Sequence, residues 1–149
     1  MDAFVQPLYE LADFDAIIRQ LKKPGIVQVS GCLDSQKAHF TNGLLREFPF
    51  RLIVAENDLK AKAFYEDFRL YDPEVLYYPA RDLIFYQADI HGNLLTRQRI
   101  QVLRALLERE EVTIVTSIDS CLDCLVPLAV WKEKVIKIRN DSEIDLDQM

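Results

Sequence analysis

Gly31-Cys32-Leu33-Asp34-Ser35-Gln36-Lys37-Ala38 has the length of the loop with which α/β domains cradle phosphates, and Lys37 stands where such a loop places its lysine. Chemistry at that position needs more than a lysine. A second glycine must let the backbone approach the phosphates, and a Ser or Thr after the lysine must ligate magnesium. Here those positions hold Gln36 and Ala38. A non-glycine residue forced to positive φ costs about 1 to 2 kcal/mol, and Asp34 adds a negative charge facing any polyphosphate. Gly31, Gln36, Lys37 and Ala38 therefore read as a degenerate phosphate loop, and no cofactor is expected. The plain alternative is that Gly31 only turns the chain and Lys37 is a solvated helix residue.

Cys121-Leu122-Asp123-Cys124 is a Cys-x-x-Cys. A structural zinc site wants four ligands, and Cys32, His39 and His91 lie on different elements, so no metal is expected. A redox pair wants a depressed thiol pKa, whereas Asp119 and Asp123 nearby would raise it. Packing of the two sulfurs in the core is the expectation. Tyr77, Tyr78, Phe85 and Tyr86 could stack on bases, but no basic groove accompanies them. They read better as a cover for the carboxyl end of a sheet or as a contact with another domain. No catalytic residue emerges, because no Ser-His-Asp order, His-Glu-x-x-His or calcium loop occurs, and Asp82 and Asp89 lack a base partner.

The elements that must position these residues alternate along the chain. Phe14, Ile17, Ile18 and Leu21 mark an amphipathic helix, with Asp13 as N-cap and Pro24-Gly25 as its stop. Ile26 to Ser30 is short and β-rich, and the following helix has Ala38, Leu44, Leu45 and Phe48 as its inner face. Leu52 to Ala55 is continuously apolar, as a parallel strand covered on both faces would be. Asn57 can cap the next helix, whose buried stripe is Ala61, Phe64, Tyr65 and Phe68. Val75 to Tyr78 is the third strand, and Pro79 to Asn93 has no clean period. A helix from Leu95 to Arg109, through Ile100, Leu103 and Leu107, leads to the fourth strand at Val112 to Thr116. A short helix then holds Ile118, Cys121, Leu122 and Leu125. Strands alternating with helices predict a three-layer α/β fold, a parallel sheet with helices on both faces joined by right-handed crossovers. Residues 1–132 form that domain, and 133–149 begin a small next domain or a tail, with Lys134 to Arg139 suited to an edge strand.

Composition bounds the rest. The 149 residues are 50% apolar, enough to bury a core without staples. Three cysteines cannot all pair, which fits a reducing cytoplasm. The run from Leu122 to Trp131 is interrupted by Asp123 and Pro127 and falls short of the roughly 20 residues a membrane helix needs. A formal net charge of −6 argues against independent grip on nucleic acid. Asn140 to Met149, with four acids, reads as a boundary rather than a natural finish.

Over residues 25 to 128 the chain resembles the amino-terminal region of bacterial transcription-repair coupling factors, itself similar to the first domain of excinuclease B. The residues that carry this are Val29-Ser30-Gly31 with Ser35-Gln36-Lys37-Ala38, then Tyr65-Glu66-Asp67 and Tyr78-Pro79-Ala80-Arg81-Asp82. A last block runs from Leu106-Leu107-Glu108-Arg109 through Val115-Thr116-Ser117 to Pro127. The resemblance implies a helicase-like ATPase fold that has lost catalysis and serves as a scaffold helping to recruit excinuclease A, mainly through the following domain. It also implies contacts with RNA polymerase and DNA through other domains of the parent, whose motor domains would use ATP and magnesium as a DNA translocase. The connection from Tyr78 to Leu95 is too short for the aromatic hairpin of excinuclease B, which favours the coupling factor. Arg97 and Arg99 begin a helix where the family usually has an arginine, and with Arg81 they are candidates for interdomain or partner contact. Their plain reading is an exposed or ion-paired helical face. The alternative function is an active phosphate-loop nucleotide-binding domain of an ATP-dependent DNA helicase or translocase.

Overall fold

The computed structural model describes residues 4–81, 89–127 and 129–131, with the backbone alone for 89–93. Helix α1 (Phe14–Leu21) buries Phe14 and Ile18, as the periodicity requires, against Val5 and Leu8 of the preceding segment. Asp13 precedes it without a side-chain capping bond. Helix α2 (Asp34–Leu45) packs Phe40 and Leu44 onto this cluster. Close approach is possible because Gly43 faces it: a Cβ there would stand 2.4 Å from a Leu8 methyl and 2.9 Å from the Phe14 ring.

Strand β1 (Phe50–Ala55) follows, then helix α3 (Asp58–Phe68), strand β2 (Leu76–Tyr78), helix α4 (Asp89–Glu108), strand β3 (Val112–Ser117) and the short helix α5 (Ile118–Cys121). Asn57 does cap α3, its side chain accepting from Lys60 N at 2.9 Å. Among the described residues the three strands form one parallel sheet in the order β1-β3-β2. Phe50 stands opposite Val112, and Leu76 opposite Ile114. Alternation along β3 serves both faces. Val115 packs with Ala38, Ala61, Phe68, Val75 and Tyr77, while Val112 and Ile114 pack with Leu76, Tyr78, Val102 and Ala105 of α4. The architecture is α/β with helices on both faces of a parallel sheet.

Four expectations change. Ile26 to Ser30 does not join the sheet; Ile26 is 98% exposed, and no described strand lies beside the segment to accept its backbone bonds. Strand β1 is covered on one face only, because α4 lies over β2 and β3, so Phe50, Leu52 and Val54 remain exposed. Helix α4 begins at Asp89 rather than Leu95 and turns Arg99, Val102 and Ala105 inward, leaving Ile100 and Leu107 exposed. Cys121 and Cys124 are exposed, not in the core, because α5 buries Ser120 instead. Phe85, Tyr86, the Lys134–Arg139 strand and the boundary after residue 132 lie outside the described residues. Among the described residues, no helix is long and apolar enough to cross a membrane.

Candidate functional site

Ligands of open α/β sheets bind beyond the carboxyl ends of the strands. In this chain that region is occupied by its own polar side chains. Ser117, which ends β3, accepts from Ser120 N at 3.3 Å and lies 2.9 Å from Ser120 Oγ, so it caps α5. Its hydroxyl also donates to Asp58 Oδ1 at 3.4 Å, and the same oxygen accepts from Ala80 N at 3.2 Å. The Asp58 carboxylate, in the first turn of α3, thus takes the backbone and hydroxyl donors that an anionic ligand would seek. Tyr77 donates to the Asp58 carbonyl at 3.4 Å. Burial first, and then Asp58 beside it, hold the Tyr77 phenol well above its ordinary pKa.

A second cluster lies where β2 exits. The Arg99 side chain is 8% exposed, and its Nη1 meets Asp123 Oδ2 at 2.9 Å in an ion pair not aligned as a hydrogen bond. The same nitrogen donates to the Pro79 carbonyl at 2.7 Å. Its guanidinium carbon sits 4.2 Å from the centroid of the Tyr78 ring. Burial raises the Tyr78 pKa, and the Arg99 charge opposes that shift. Among the described residues Arg99 Nη2 and Tyr78 Oη are buried without a hydrogen-bond partner. Thr116 ties the strands by donating to Tyr78 O at 2.9 Å. Arg81, 63% exposed, reaches to 3.9 Å from Asp123, and Arg97 is exposed on α4. Arg81 and Arg99 therefore converge on one carboxylate, with Arg99 enclosed.

At the phosphate-loop position the side chains engage their own helix start. Gly31 has φ +89°, so it turns the chain in the region that favours glycine. Gln36 serves the helix start, its side chain accepting from Leu33 N at 3.3 Å. Lys37 Nζ is 2.6 Å from Asp34 Oδ1, with both side chains on the exposed surface. The hydrogen bond and charge of that pair raise the lysine's pKa and lower the aspartate's. With Ile26 to Ser30 unpaired, no strand of the sheet feeds the loop. Tyr77 and Tyr78 are buried under Tyr65 and Arg99, so neither offers a face to a base.

At the opposite end of the strands, a cavity of about 270 Å³ is lined by Asn42, Arg46, Arg51, Tyr71, Asp72 and Glu111. Arg51 lies 3.8 Å from both Asp72 and Glu111, so cations and acids offset each other there. Among the described residues no group of His, Cys, Asp and Glu could hold a metal ion. Sequence reasoning missed Asp58 and gave Asp123 only a role beside the cysteines. An acid directly after the Asn57 cap, and another two residues past α5, were the available signals.

No protein-family model matches the chain, and no solved structure matches it. Two curated relatives do, the transcription-repair-coupling factors of two strains of Staphylococcus epidermidis, each 25% identical over 124 residues. The match covers 81% of this chain but only 11% of each relative, so the chain spans a small part of their length. What the chain is similar to, over most of its residues, is the amino-terminal region of a transcription-repair-coupling factor.

Proposed function

We propose that the chain is a non-catalytic scaffold domain of a transcription-repair coupling factor, a protein that links removal of stalled RNA polymerase to nucleotide excision repair. The observation that carries this reading is the similarity to the amino-terminal region of such factors together with a phosphate loop whose lysine is spent on Asp34. Asp58 at the carboxyl end of the sheet supports it, since a polyphosphate there would meet a fixed negative charge. In this reading the domain helps recruit excinuclease A, with the following domain supplying most of the contact. RNA polymerase, DNA, ATP and magnesium are handled elsewhere in the parent.

The test is the melting midpoint with and without saturating magnesium-ATP. Binding at 100 times the dissociation constant would stabilise by roughly 2.7 kcal/mol, which for a domain of this size raises the midpoint by several degrees. The expected result is no shift, with Lys37→Ala indistinguishable from the parent sequence. A rise abolished by Lys37→Ala would establish the alternative, a live nucleotide-binding domain. A longer fragment that includes the next domain should retain excinuclease A on a column.

A further inference from the structure

Where the chain leaves α5 it exposes an apolar run around a fixed cation. Leu122 is 76% exposed, Leu125 53% and Val126 58%. Asp123, between them in sequence, turns inward to Arg99 at 2.9 Å. Arg81 extends from the exit of β2 to within 3.9 Å of the same carboxylate while remaining 63% exposed. Among the described residues two guanidinium groups share one carboxylate here, one cation in excess in a chain of formal net charge −6. Single exposed apolar residues are ordinary. Three large ones within one short segment, rimmed by an arginine, form an exposed apolar patch of the kind that marks an interaction site.

We propose that Arg81, Leu122, Leu125 and Val126 form a docking surface for a protein segment that presents an acidic side chain flanked by apolar ones. The charge decides the partner's sign. A basic segment would meet Arg81 with Arg99 behind it, and Asp123 cannot compensate because its carboxylate is already engaged. The apolar run decides its class. Nucleic acid needs several cations along its backbone, whereas one cation among three exposed apolar side chains suits an amphipathic peptide. Biologically the proposal rests on the scaffold reading, but it is tested without nucleotide, so either can fail alone.

The experiment selects a random peptide library displayed on phage against the chain, against Arg81→Glu, and against Lys62→Glu on the exposed surface of α3. The Lys62→Glu variant changes net charge equally without touching the patch. Selected peptides should pair Asp or Glu with large apolar residues and slow alkylation of the exposed neighbouring thiols Cys121 and Cys124. Arg81→Glu should weaken the best peptide by about tenfold or more and turn selection toward Lys and Arg, while Lys62→Glu should bind as before. Circular dichroism verifies that each variant is folded. Peptides without charge bias, equal weakening by both substitutions, unaltered thiol alkylation, or binding of a single-stranded oligonucleotide in place of peptides would each overturn the proposal.

Discussion

Arg99→Met keeps the length and helix preference of the side chain while removing every donor, so it tests the clasp at the exit of β2. The hydrogen bond to Pro79 comes from a charged group and lies at 2.7 Å, a class that contributes about 1.5 to 3 kcal/mol. Removing one member of a buried ion pair costs about 3 to 5 kcal/mol, because the remaining charge is stranded. Asp123 is 27% exposed and can recover some hydration, which places the expected loss near the lower end, about 3 kcal/mol. For a chain of 149 residues that lowers the melting midpoint by about 6 to 12 °C. Urea denaturation followed by circular dichroism and by tyrosine fluorescence measures it, with the midpoint falling by about 1 to 2 M. Asp123→Asn should be costly in the parent sequence and nearly neutral in the Arg99→Met background, a coupling of about 1 kcal/mol or more. A loss below about 1 kcal/mol, or strict additivity of the two substitutions, would refute the clasp.

Tyr77 makes alkaline stability a readout of the sheet's carboxyl end. Its folded-state pKa is raised, so its contribution is complete below the unfolded value of about 10 and declines as pH rises above it, where only the unfolded chain gives up the proton. Tyr77→Phe should cost little at neutral pH and flatten that alkaline decline; identical slopes would contradict the assignment. Cys121 and Cys124 should react with a thiol reagent in the native protein faster than Cys32, which is only partly exposed; protection of either until urea is added would place it in the core after all. Gly43→Ala should destabilise, because overpacking against Leu8 and Phe14 costs about 1 to 3 kcal/mol and exceeds the gain in helix preference of about 1 kcal/mol. A rise in melting midpoint would show that the two side chains move aside freely.

Much of the fold is legible in the sequence, because the decisive signals act over a few residues. The Asn57 cap and the stripe through Ala61 and Phe68 define α3, and the β-rich runs at Leu52 and Val112 define two parallel strands. The expectation of a degenerate phosphate loop was equally local, since it rests on Gln36 and Ala38 standing where such a loop has a glycine and a hydroxyl.

Other features depended on which distant element stands opposite. Ile26 to Ser30 has the composition of a strand, yet a strand exists only when a neighbour accepts its hydrogen bonds, and none of the described strands does. Phe50, Leu52 and Val54 look like core residues, but their burial required a helix over β1, and α4 covers β2 and β3 instead. Arg99 passes for a surface residue until Pro79 and Asp123, remote in sequence, close around it. Asp58 passes for a helix-start acid until Ala80 and Ser117 meet it at the end of the sheet. Sequence by itself determined the phase of α1 and α3, the Asn57 cap and three of the strands, all of which are encoded by neighbours along the chain. Only the tertiary structure decided which polar groups are enclosed and which apolar ones stay open, because burial is set by packing between elements that the chain brings together from afar.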